Sequence, residues 1–181
     1  LKEGEATVVA ETYNSKTASL PVKVYPAPTR LSLNTADGRK TFGVGETIQL
    51  RFETDSPVAG VTYKLSNRRA AALSADGTLT LKRTGKLTIT ATTYNGISAK
   101  LTLTVKRAPK SVSLKVSHNM LGIGQSATLT GALSKGAAGG YELTVTGDAV
   151  RLEGNRIIAG APGEAVVTLR TYNGHSTQVQ V

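Results

Sequence analysis

The sequence lacks cysteine and tryptophan altogether, and it carries one methionine, six tyrosines and two phenylalanines. Without cysteine there is no disulfide, no thiolate zinc site and no cysteine nucleophile. The absence does not choose a compartment, since cytosolic proteins fit it and so do exported bacterial proteins that avoid cysteine. With so few aromatic side chains, any core has to be assembled from Val, Leu, Ile and Ala. No run approaches the ~20 apolar residues that cross a bilayer, so no membrane insertion is expected of this segment. No signal-peptide pattern is present, yet the chain opens on Leu1 rather than Met and reads as a piece of something longer. Acids are scarce too, 12 against 22 Lys and Arg, for a formal net charge of +10. A basic chain can bind nucleic acid, but these basic residues come as singles and pairs such as Arg68-Arg69 and Lys82-Arg83, with few rings for base stacking. Nucleic acid is therefore not an expected partner. Attraction to another polyanion stays open on charge alone.

What is present is repetition. A length of 181 residues suits two domains better than one. Three stretches, VAETYNSKTASLPVKV, TATTYNGISAKLTLTV and TLRTYNGHSTQVQV, share one pattern centred on Tyr13, Tyr94 and Tyr172. Other landmarks keep the same spacing. GVGETIQL at 43–50 matches GIGQSATL at 122–129, APTRLSLN at 27–34 matches APKSVSLK at 108–115, and VTYKLS at 61–66 matches GYELTV at 140–145, which sets Tyr63 against Tyr141. A period of about 80 residues is well above that of solenoids and propellers, so each repeat is large enough to bury its own core.

The local pattern is β throughout. Leu87, Ile89 and Ala91 face one way and Thr88, Thr90 and Thr92 the other; Ala99, Leu101, Leu103 and Val105 then alternate with Lys100, Thr102, Thr104 and Lys106. Period two with Thr and Lys outside describes a half-buried antiparallel pair. Asn95-Gly96 and Asn173-Gly174 between the runs are expected to form type I′ hairpin turns. NRRAAALS at 67–74 and TGDAVRLE at 146–153 read as short irregular strands rather than helices. Six or seven short strands per ~75 residues argue for an all-β sandwich.

The order of landmarks resembles the group 2 family of bacterial immunoglobulin-like domains. The residues that carry it are Gly43-Val44-Gly45-Glu46-Thr47, Tyr63, Asp76-Gly77-Thr78-Leu79 and Gly85-Lys86-Leu87-Thr88-Ile89-Thr90-Ala91, then Gly122-Ile123-Gly124, Tyr141, Glu153-Gly154 and Gly163-Glu164-Ala165-Val166-Val167. Tyr replaces the family's usual Trp on the third strand, and Glu-Gly replaces Asp-Gly in the last repeat. The resemblance implies tandem immunoglobulin-like β-sandwiches of an extracellular or cell-surface bacterial protein, serving as a stalk, an adhesin segment or an accessory region beside a surface hydrolase. The family has no shared active site, so no functional residue carries over, and fold alone does not fix function.

A search for chemistry ends without a catalytic, cofactor-binding or metal-binding assignment. His118 and His175 read as a turn residue and a solvated hairpin tip, too far apart in pattern for a metal set. The glycines around Val44 and Ile123 lead into strands, so no helix N-terminus awaits a phosphate. Calcium binding is proposed for some members of the family, but Asp37, Asp55, Asp76 and Asp148 read as turn residues that satisfy their own backbone. No cofactor and no enzymatic activity are expected.

The linkers VYPAPT at 24–29 and VKRAPK at 105–110 are short, and proline holds itself and its predecessor extended. The expected organisation is a closing hairpin of a truncated repeat at 1–25 and immunoglobulin-like domains at 27–106 and 108–181. The first reading of function is a structural spacer holding another module away from the envelope. The second is a binding module for a protein or polysaccharide ligand, or an anionic wall polymer, at the cell surface. Core positions expected in the middle repeat are Leu31, Leu33, Ile48, Leu50, Tyr63, Leu79, Leu81, Leu87, Ile89, Leu101 and Leu103. The first hairpin should carry an apolar face, Ala6, Val8, Ala10, Leu20, Val22 and Val24, that residues 27–106 leave uncovered.

Overall fold

The computed structural model describes residues 3–181; Leu1 and Lys2, which open the expected 1–25 segment, lie outside the described residues. The protein is all-β, and among the described residues every regular element is a strand. It opens on a hairpin of β1 (Gly4–Glu11) and β2 (Thr17–Val24), paired antiparallel with Val8 opposite Leu20 and Ala6 opposite Val22.

The next eight strands close one sandwich: β3 (Leu31–Thr35), β4 (Thr41–Gly43), β5 (Thr47–Thr54), β6 (Thr62–Leu65), β7 (Ala71–Leu73), β8 (Thr78–Leu81), β9 (Gly85–Thr92) and β10 (Ser98–Lys106). One sheet runs β3-β5-β8-β7 and the other β4-β10-β9-β6. The period-two register holds. Leu87 sits opposite Leu103 and Ile89 opposite Leu101, all facing the core, while the Thr88 and Thr102 hydroxyls meet outside at 3.1 Å. Every expected core position is buried or packs against the buried cluster. Burial of one such Leu or Ile stabilises by about 1.5–3 kcal/mol. Phe42, on β4, is fully buried at the core's edge and was not among the expected positions. It belongs to a three-residue strand parallel to β10, too short to show a period.

The C-terminal sandwich has β11 (Val112–Val116), β12 (Ser126–Leu133), β13 (Tyr141–Thr146), β14 (Val150–Glu153), β15 (Arg156–Ala159), β16 (Val166–Thr171) and β17 (Ser176–Gln180). Its sheets are β11-β12-β15-β14 and β13-β16-β17. Two sequence alignments need correction. Tyr63 pairs with Ala91, but the residue paired with Leu169, which holds the place of Ala91, is Leu143. Tyr141 lies two residues earlier, opposite Thr171, so Leu143 is the true counterpart of Tyr63. A shift of two keeps both side chains on one face, which is why the sequence pattern hid it. The second correction concerns Glu153-Gly154. Glu153 pairs with Arg156 across a two-residue loop in which Gly154 takes a φ of 61°. The middle sandwich instead carries Gly77 at φ 85°, just before strand residue Thr78, so its hairpin loop is longer and Asp76-Gly77 is not the counterpart of Glu153-Gly154.

The two cores also exchange volume. Where the middle sandwich has small Ala91, the last has Leu169, and β12 gives way with Gly131, whose missing Cβ would collide with the Leu169 side chain. Among the described residues the first hairpin has no such second layer. Val8 and Leu20 are 58% and 64% exposed, while Ile89 and Leu101 at the matching places are 0% and 5%. Residues 27–106 leave that apolar face uncovered.

Candidate functional site: the joint between the sandwiches

The shared Thr-Tyr-Asn segment forms the same turn three times. The expected type I′ geometry is wrong: at the second and third copies only Gly96 (φ 90°) and Gly174 (φ 91°) enter the left-handed region, and Asn95 and Asn173 do not. Gly96 N–H donates to the Thr93 carbonyl at 3.0 Å and Thr93 N–H to the Ile97 carbonyl at 2.9 Å. The turn therefore centres on Tyr94-Asn95 and ends on a left-handed glycine, the three-residue hairpin class. Ser15, at φ 58°, fills that place in the first copy.

Side chains fix this geometry. The buried Thr93 hydroxyl reaches Asn95 Oδ1 (2.7 Å) and the Ile97 carbonyl (3.2 Å) and accepts from Ile97 N–H (3.0 Å). Thr171 repeats the bonds to Asn173 and the His175 carbonyl, and Thr12 those to Asn14 and Lys16. The asparagine amide is then free to reach outward. Asn95 Nδ2 donates to the Pro28 carbonyl and Asn173 Nδ2 to the Pro109 carbonyl, both at 2.8 Å. Pro28 and Pro109 are fully buried, so each linker is clamped to the sandwich it enters. Asp55 adds to the first clamp by accepting from Thr29 and Arg30, and Ser134 accepts from Lys110 N–H at the second.

In the last copy, with Thr171 and Asn173 committed, the tyrosine between them reaches the preceding sandwich, whereas Tyr94 lies beside Gly60 of its own sandwich and Tyr13 is exposed. Tyr172 hydroxyl donates to the Val44 carbonyl at 2.6 Å, joining the last sandwich to the middle one. Beside it Glu46 is buried, and its carboxylate is fully engaged. Oε1 accepts from Gly140 N–H (2.9 Å) and from Arg39 Nη2 (2.6 Å), and Oε2 accepts from Gly43 N–H (2.9 Å). Arg39 also holds Asp37 at 2.6 Å and lies over the Phe42 ring. Ala138 N–H donates to the Arg107 carbonyl at 3.1 Å, tying the linker into the same joint. Two glycines make the approach feasible: a Cβ on Gly43 would collide with the Tyr172 hydroxyl and the Ala138 carbonyl, and one on Gly139 with the Tyr172 ring.

The electrostatics follow the geometry. Burial, with Glu46 adding, raises the Tyr172 phenol above its ordinary value and keeps it a donor. Burial works against the Arg39 charge, but its bonds to Glu46 and Asp37 outweigh it and raise its pKa. Burial would raise Asp37, yet the bonds from Arg39 prevail and lower it. The arrangement binds one unit to the next; it presents no nucleophile beside a base.

The candidate residues weighed in the sequence are not drawn together. His118 is exposed beside Ser117, and His175 is exposed in the last turn. Asp55 and Asp76 serve Thr29 and Thr78 as turn residues. No group of three or more metal-competent side chains occurs among the described residues. Glu46 and Arg39 were missed because an isolated acid and base seven residues apart carry no motif.

No family model matches the chain, so the group 2 resemblance has no such support, and no curated protein matches. Solved structures do. An intimin mutant of EHEC O157:H7 shares 16% identity over 52% of this chain and 52% of its own, with a TM-score of 0.34. The S-layer protein SbsC, domains 4 and 5, shares 16% identity over 86% of this chain and 98% of its own, with a TM-score of 0.39. SbsC domains 1–6 share 12% identity over 99% of this chain, at a TM-score of 0.39. The chain spans about half the intimin chain and about a third of the six-domain SbsC chain. The strand topology itself makes this an all-β protein of immunoglobulin-like sandwiches.

Proposed function

We propose that this segment is a non-catalytic structural spacer of a surface protein, with immunoglobulin-like domains at 27–106 and 108–181 and the closing hairpin of another repeat at 1–25. The observation that carries it is the joint: Tyr172 on Val44, with buried Glu46 accepting from Gly140 across the gap. A hinge would leave its linker solvated, whereas here Pro109 is buried and clamped by Asn173. The bacterial immunoglobulin-like resemblance supports an extracellular or cell-surface setting. Small-angle scattering is expected to give an elongated particle with a single preferred length. A compact particle with a broad interface between the sandwiches would overturn the reading. The net charge of +10 supports a second role, salt-sensitive attraction to an anionic surface polymer.

A further inference from the structure

The loop that receives Tyr172 has a twin that no tyrosine enters among the described residues. In the filled copy, Gly43 N–H donates to Glu46 Oε2 at 2.9 Å, Gly45 stands at φ 87°, and its N–H donates to the Leu81 carbonyl at 2.7 Å. In the C-terminal sandwich, Gly122 N–H donates to Gln125 Oε1 at 2.8 Å, Gly124 stands at φ 85°, and its N–H donates to the Ala159 carbonyl at 2.8 Å. The backbone scaffold is already built, but its surface is bare. Met120 and Ile123 are 85% and 68% exposed, whereas Gly43 is buried and Val44 partly so. The filled copy also has a strand here: Thr41–Gly43 pairs in parallel with Thr104–Lys106, and Val44 N–H donates to the Lys106 carbonyl. Among the described residues Met120–Gly122 forms no strand.

We propose that Met120–Gln125 is a second socket, shaped for the Thr-Tyr-Asn turn of a further immunoglobulin-like unit whose entering strand pairs with Met120–Gly122. The proposal rests on reading Thr41–Glu46 as a joint. Its tyrosine donates to the Ile123 carbonyl, as Tyr172 does to Val44. The two sockets differ in what else they accept. A glutamate has two acceptor oxygens, and Glu46 uses them on Gly43 and Gly140. Gln125 has one, already given to Gly122, and its amide nitrogen is a donor. This socket therefore prefers a unit that presents a backbone carbonyl where Gly140 presents N–H.

The test lengthens the chain after Val181 with a repeat of its own residues 104–181, which supplies the strand and the turn together. Amide exchange at Ile123 is compared in the native chain, the lengthened chain and the lengthened chain with Gln125→Glu. The added unit presents an N–H, so the Gln125→Glu form should slow Ile123 exchange by about tenfold or more, the span between open and closed local structure, and the Gln125 form by less. Unchanged exchange in both lengthened chains, with Val44 still protected in the same molecules, overturns the socket alone. Loss of protection at Val44 too overturns the joint reading itself. Equal protection by Gln125 and Gln125→Glu overturns the selectivity. Protection of Ile123 in the native chain that grows with concentration assigns the socket to a second copy and overturns the proposed occupant.

Discussion

At the residue scale, the joint depends on a carboxylate that serves three donors out of water. Glu46→Ala leaves Gly43 N–H, Gly140 N–H and Arg39 Nη2 without their acceptor, while Arg39 Nε keeps Asp37. Hydrogen bonds to charged groups are worth about 1.5–3 kcal/mol each, so denaturant unfolding of the middle sandwich should move by at least one such amount. Glu46→Gln should cost less, because Gln125 shows that one oxygen suffices for the loop's own glycine. Equal losses for the two variants would mean that the bond to the loop's own glycine, which glutamine keeps, contributes nothing. Asp55 makes a separate prediction in pH. Its bonds from Thr29 hold its carboxyl down to about 2 in the fold, against about 4 when unfolded. The folded state thus prefers the carboxylate. Its contribution is complete above about pH 4 and is lost as pH falls from there toward 2. Asp55→Asn should flatten that acid limb of a stability profile, and an unaltered limb would assign it to other carboxylates.

At the element scale, the hairpin of β9 and β10 is the stiffest test of register. Ile89 is fully buried opposite Leu101, and its truncation to Ala should cost about 2–5 kcal/mol by thermal or denaturant unfolding. A change below 1 kcal/mol, the scale of an exposed site, would put the side chain outside the core. The alternation of Leu and Ile with Thr made this element legible in sequence, because period two decides which face is dry. The same rule could not catch the slip of Tyr141 against Tyr63, since a displacement of two residues preserves facing. Nor could it find β4, whose three residues are defined by parallel pairing with distant Thr104–Lys106. The Asn-Gly dipeptide suggested a turn correctly but the wrong type. Asn95 is recruited by distant Pro28 and by neighbouring Thr93, and only the glycine enters the left-handed region.

At the scale of the whole molecule, the last Thr-Tyr-Asn copy divides its work among three side chains. Thr171 sets the turn, Asn173 clamps the incoming linker and Tyr172 reaches the unit before; Thr93 and Asn95 repeat the first two roles, and Thr12 the first. The repetition was plain in the sequence; the division of labour was not, because Val44, Glu46 and Gly140 lie far from Tyr172 along the chain. On the proposed spacer reading, the joint is expected to make successive sandwiches move as one body, against the relative motion that a small interdomain contact otherwise allows. Residual dipolar couplings measured separately for residues 31–106 and 112–180 test that claim most directly. One shared alignment tensor is expected for the native chain, dividing into two in a Glu46→Ala, Tyr172→Phe double variant. Two independent tensors in the native chain would contradict the account.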